Sequence, residues 1–137
     1  MFRCHVTFDI YIQGVPSDHS GAKQCITKPS SPDSILNKQG RKRFIMKADG
    51  NCMFRSLSFL FFGSENAHSK LRSLLVKFIL LNNSCFSPLV FTGSLNEHIA
   101  TMKCSGKWGT QVELQAAASL AQIPIYVLTK GTTEYKG

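Results

Sequence analysis

The sequence has no Cys-x-x-Cys pair, no uninterrupted apolar run of 18 residues, one tryptophan, and only eight acidic side chains among 137 residues. Its five cysteines, Cys4, Cys25, Cys52, Cys85 and Cys104, are odd in number and irregularly spaced. A disulfide scaffold is therefore disfavoured, a zinc knuckle has nothing to start from, and no metal or cofactor is expected. Without a long apolar run there is no candidate transmembrane helix. Without a continuous apolar stretch near Met1 there is no candidate signal peptide. The expected setting is reducing and intracellular, cytoplasmic with the nucleus open, and a membrane partner is not expected.

The shortage of acids leaves sixteen basic side chains and a net charge of +8, which raises the question of an anionic partner. The distribution weighs against one. Residues 1–47 hold eight Lys/Arg and three acids, and residues 48–137 hold eight and five, so no dense basic face emerges. The tightest cluster, Arg41-Lys42-Arg43 with Lys47 nearby, reads as solvated loop, with a localisation signal or a phosphate contact as alternatives. Ten Phe against one Trp and three Tyr suit a packed interior better than a base-stacking surface. A nucleic-acid-binding module is accordingly the third-ranked reading.

The hydrophobic content, 43%, is ordinary for one globular domain. Alternation over residues 1–14 predicts a strand with Phe2, Cys4, Val6, Phe8, Ile10 and Ile12 on one face. Residues 14–40 lose all periodicity among Gly14, Pro16, Gly21, Pro29 and Pro32 and read as linker, so residues 1–42 are set apart from a domain at 43–137. A helix should open at Cys52 after the Asp49-Gly50-Asn51 turn and stop at Gly63; it is apolar nearly all round, so Phe59 to Phe62 are expected in the core. A second helix should span about 65–81, with Leu71, Leu74, Leu75, Phe78 and Ile79 inward and Lys70, Arg72, Ser73 and Lys77 outward. Capping boxes at Ser94/Glu97 and Thr110/Glu113 predict helices over about 95–103 and 111–121. The second is alanine-rich and suited to lie on a sheet. A strand over Ile123 to Leu128 follows, with Pro124 near its start.

Asp49-Gly50-Asn51-Cys52 is a turn with a chemical use. A thiol reacts as thiolate, and a helix N-terminus offers N–H groups and partial positive charge that favour it. Gly50 allows a tight fold in which successive N–H groups can face a developing oxyanion. The plainer reading is a small apolar side chain packed at a helix start.

The longer segment Ala48-Asp49-Gly50-Asn51-Cys52-Met53-Phe54-Arg55-Ser56-Leu57-Ser58 resembles the nucleophile segment of ovarian-tumour (OTU) deubiquitinases, with Met53 as a mild departure. Trp108-Gly109-Thr110-Gln111-Val112-Glu113-Leu114, followed by Ala116, Ala117, Ala121, Ile123 and Val127, is similar to the same family's Trp-Gly, Glu-Leu, small-residue helix and closing strand. The resemblance covers about residues 43–129. It implies an α+β, papain-like cysteine-protease domain, with a central helix opened by the nucleophile and helices packed on a small sheet that lacks its C-terminal strands. It implies ubiquitin or ubiquitin chains as partner. The roles it carries are Cys52 as nucleophile, Asp49 as the family's active-site aspartate or as a loop-shaping group, and Asp49, Gly50, Asn51 and Cys52 as oxyanion loop. Trp108 is a packing anchor or lines the substrate groove.

The resemblance also calls for a general-base histidine after the closing strand, and none is present there. His5, His19 and His68 read as surface histidines, and His98 as an exposed helix position. The expectation is a chain inactive alone. It would be a truncated product, a degenerate ubiquitin-binding relative, or a chain completed by a partner; truncation is favoured, with Tyr135 and Lys136 opening a loop towards the missing part.

Overall fold

The Asp49-Gly50-Asn51 turn delivers the chain into helix α1 (Cys52–Phe62), and Gly63, at φ +71° where glycine carries no steric cost, ends it by returning its N–H to Phe59 O. The computed structural model describes residues 7–8, 40, 44–129 and 132–136. Helix α1 buries Met53, Phe54 and Leu57, one stripe at helical spacing, and Phe54 and Leu57 are almost wholly enclosed. The expectation that Phe59 to Phe62 form core holds only weakly. Phe62 is 60% exposed, while Phe59 is half-buried, 4.7 Å between ring centroids from the exposed Phe44. A helix surrounded on one side only cannot bury four consecutive side chains, whatever their hydropathy.

Ser64 caps a 3-10 turn (Glu65–Ala67), which leads into α2 (His68–Leu81), closed by Asn82, whose side-chain amide donates to Phe78 O at 2.8 Å. Leu71, Leu75, Val76 and Ile79 point into the core; Leu74 is 47% exposed and Arg72, expected outside, is buried. Arg72 lies three and four residues before Leu75 and Val76, on their stripe. A short α3 (Asn83–Phe86) and a 3-10 turn (Ser87–Leu89) follow, Phe86 meeting Phe78 edge-on at 5.8 Å.

Helices α4 (Leu95–Met102) and α5 (Gln111–Ala121) both begin in complete capping boxes, as their sequences require. In α5 the fully buried Ala116 and Ala117 permit close approach, and the helix packs on α2 where the sequence suggested a sheet. Its end consumes the next residues: Gln122 adopts the left-handed conformation, and the N–H groups of Gln122 and Ile123 both turn back to Ala118 O. The Ile123 N–H is thereby unavailable for a ladder, and the strand starts later, at Tyr126.

The sheet comprises β1 (Thr7–Phe8), β2 (Tyr126–Thr129) and β3 (Thr132–Lys136), in that order and antiparallel throughout. Thr7 pairs with Leu128 and Phe8 with Val127, so part of the N-terminal segment shares a sheet with the domain; the rest of the strand expected over 1–14, and the linker apart from Gly40, lie outside the described residues. Tyr135 and Lys136, expected to open a loop, pair with Val127 and Tyr126 instead. Among the described residues no helix is long and apolar enough to cross a membrane.

Candidate active site

Four residues before and at the start of α1 form a turn fixed from two sides. Asp49 accepts the Asn51 N–H at 3.0 Å and the Arg55 side chain in a fork, Nη2 at 2.7 Å and Nε at 3.2 Å to each oxygen. Arg55 belongs to the first turn of the helix, so the fork bends the turn onto the helix it opens. These charge-assisted bonds hold the Asp49 carboxyl far below the usual carboxylate range, against the opposing effect of burial. Asp49 donates its own N–H to Lys47 O at 3.1 Å.

Asn51 occupies the N-cap position without capping. Its side chain, 5% exposed, turns away, and Oδ1 accepts from Arg72 Nη2 and from Gly106 N–H, each at 2.8 Å, with Ser105 Oγ at 3.5 Å. Cys52 is the first residue of α1 and is half-buried. The first turn contains no acidic residue to oppose a thiolate. Of the residues expected to line the oxyanion loop, Asp49 and Asn51 have their N–H groups directed inward, which turns attention to Gly50 and the opening of α1.

The second wall is the loop over residues 103–110. Gly50 has φ +79°, and a Cβ there would sit 1.9 Å from Gly106 O; a Cβ on Gly109 would sit 1.7 Å from Met53 Cε. Two glycines thus let the loop lie directly on the turn and on the first residues of α1. Trp108 is 56% exposed, so more than half of its surface is left open to solvent. Thr110 ties the loop to α5: its N–H and hydroxyl both donate to Glu113 Oε2 at 2.7 Å, while Glu113 Oε1 meets His98 Nε2 at 2.6 Å.

The four histidines distribute unevenly. His5 and His19 lie outside the described residues. His98 is not the exposed residue expected: its side chain is 13% exposed and engaged with the fully buried Glu113. His68 is likewise no surface histidine. Its Nδ1 is buried with no hydrogen-bond partner, and burial, reinforced by Arg55, holds its pKa below the ordinary value. The residue that sequence reasoning missed altogether is Arg72, whose only signal was its place on the buried stripe of α2.

A family model described as OTU-like cysteine protease matches residues 47–137. OTU domain-containing protein 1 of Mus musculus is 31% identical over 102 residues, covering 74% of this chain and 22% of that protein. OVARIAN TUMOR DOMAIN-containing deubiquitinating enzyme 7 of Arabidopsis thaliana is 32% identical over 93 residues, covering 67% of this chain and 25% of that protein. The chain therefore spans a quarter or less of the length of these curated relatives. The solved OTU domain of OTUD1 superposes with a TM-score of 0.65 at 31% identity, covering 69% of this chain and 62% of that one. The viral OTU domain protease from Dera Ghazi Khan virus superposes with a TM-score of 0.52 at 26% identity, covering 59% and 53%. With a family model matched over residues 47–137, relatives 31–32% identical over two thirds or more of the chain, and a fold shared with a solved OTU domain, the chain belongs to the family of OTU-like cysteine proteases.

Proposed function

We propose that this chain carries the nucleophile half of a thiol-dependent ubiquitin isopeptidase. The observation that carries the reading is the position of Cys52, at the first residue of a helix whose preceding turn is locked by Asp49 and Asn51. The Cys52 thiolate attacks the carbonyl carbon of ubiquitin's C-terminal residue. The carbonyl oxygen takes up the negative charge facing the Gly50 turn and the opening of α1, and the tetrahedral species expels the lysine amine to leave a thioester. Asp49 acts here by shaping the loop, because its carboxylate is spent on Arg55 and Asn51. The exposed Trp108, on the loop above the turn, lines the groove for the extended ubiquitin tail.

Taking the proton from the thiol and delivering it to the departing amine need one acid–base group set against Cys52, a part assigned to neither described histidine: His98 Nε2 is held by Glu113, and His68 Nδ1 is enclosed without a partner. Loss of one such member typically removes several orders of magnitude of rate. Where that group is not in place, Cys52 is expected to form the covalent adduct without efficient turnover.

The test uses ubiquitin carrying a C-terminal electrophile, with adducts located by peptide mass spectrometry. Covalent capture at Cys52, abolished by Cys52→Ala, supports the reading. Ubiquitin binding with no adduct at Cys52 favours the alternative, a non-catalytic ubiquitin-binding relative. Neither binding nor adduct removes both.

A further inference from the structure

Arg72 is the group in the site to which the thiol chemistry above gives no part. It sits in α2 at 4% exposure. Burying a cation costs several kcal/mol unless it is paired, and its pKa is lowered chiefly by that burial. Its hydrogen bonds go to neutral oxygens: Nη1 donates to Met102 O at 3.1 Å, and Nη2 donates to Lys107 O at 2.7 Å and Asn51 Oδ1 at 2.8 Å. The guanidinium carbon lies 3.8 Å from the centre of the Phe54 ring, a cation–π contact inside the core. Met102 is the last residue of α4, so its carbonyl stands at the negative end of that helix.

The three acceptors lie on two stretches of chain far apart in sequence: the Cys52 turn, and the end of α4 with the loop over 103–110 that continues it. Only a planar fork reaches them together, which an ammonium on a flexible stem does not. Asn51 Oδ1 closes the arrangement by also accepting the Gly106 N–H at 2.8 Å. One amide oxygen thus joins α2 to both walls of the site. A hydrophobic side chain of similar volume would fill the space at lower desolvation cost. What it could not do is fix the direction in which the turn presents its backbone.

We propose that Arg72, acting through Asn51, is a positioning residue for the Cys52 turn: it clamps residues 49–52 against the loop over 103–110, so that the oxyanion-facing backbone is set before substrate arrives. The proposal rests on the thiol-protease reading of Cys52. Pre-set donors need no reorganisation in the reaction, which is where such a clamp acts on rate.

A double-mutant cycle tests it. Arg72→Lys keeps charge and loses the fork; Asn51→Ala removes the shared acceptor and leaves Arg72 its two carbonyls. Each is compared with the double variant and the parent chain for the limiting rate of capture by ubiquitin carrying a C-terminal electrophile, and for alkylation of Cys52 by iodoacetamide, read by peptide mass spectrometry. Thermal melts establish the temperature at which each remains folded. Each single substitution should lower the limiting capture rate at least ten-fold with the half-saturating ubiquitin concentration little changed, and the double should be no worse than the poorer single, since both break one linkage. Additive losses, or single variants that react at the parent rate with both reagents, overturn the proposal. If Arg72→Lys does not fold, Asn51→Ala alone decides, by the same ten-fold criterion. If the parent chain is not captured by the ubiquitin reagent, the isopeptidase reading falls; coupled effects on iodoacetamide alkylation then still uphold the clamp, and their absence ends it.

Discussion

Replacing Gly50 by alanine should separate the two walls of the site, and the expected damage follows from distances. At φ +79°, a Cβ would stand 1.9 Å from Gly106 O, 2.6 Å from its carbonyl carbon and 3.0 Å from its Cα. Non-bonded heavy atoms settle at roughly 3.5 Å, so the two backbones must part by about 1.5 Å. The Gly106 N–H to Asn51 Oδ1 bond, 2.8 Å in the native arrangement, cannot span that gap. The left-handed conformation costs an L-residue about 1–2 kcal/mol, and the lost hydrogen bond about 1 kcal/mol more. Together these predict destabilisation of about 2–3 kcal/mol, or roughly 10–20 °C in Tm for a domain of this size. Gly63 supplies the control: its φ is +71°, but a Cβ there meets nothing within 4 Å. Gly63→Ala should therefore cost only the conformational part, about 1 kcal/mol. Circular-dichroism melts of both variants measure the difference, and capture of Cys52 by the ubiquitin reagent, at a temperature where both are folded, measures its consequence for the site. Equal melts for the two variants, with capture unaffected in Gly50→Ala, would refute the reasoning.

Three further outcomes are expected. Asp49→Asn should remove a stabilisation that depends on pH: folding favours the ionised carboxylate because Arg55 and Asn51 donate to it, so its contribution is complete above the unfolded carboxylate pKa of about 4 and is lost as pH falls towards the depressed folded value. Melts of both proteins between neutral and acidic pH should show the parent's advantage shrinking below that point. Glu113→Gln alters a wholly enclosed carboxylate that accepts two bonds from Thr110 and faces His98; a loss of about 2–3 kcal/mol in denaturant unfolding is expected. Ser94→Ala removes a cap remote from Cys52 in sequence and exposed to solvent; it should cost about 1 kcal/mol and leave the capture rate unchanged.

Local signals in the sequence proved legible wherever the deciding interactions are local. Both capping boxes need only residues three apart, and each forms. The helix start at Cys52 and the stop at Gly63 are likewise decided within one turn of chain. Where a long-range neighbour decides, the pattern misled. Leu74 looked apolar enough for the core and Arg72 polar enough for solvent, yet their exposures are 47% and 4%. Phe62 failed in the same way, because hydropathy says that a side chain gains by burial but not whether a neighbour exists to bury it. His98 was misread for want of its partner Glu113, fifteen residues away and on another helix.

The sequence by itself determined the family, the helix that Cys52 opens and the turn that precedes it, since these rest on a contiguous motif and on bonds spanning six residues or fewer. Tertiary structure alone decided how that turn is held. The bonds from Arg72 and Gly106 to Asn51 cross 21 and 55 residues of chain. They exist because α2 and the loop over 103–110 converge on one amide oxygen, a convergence that no periodicity or motif in the sequence encodes.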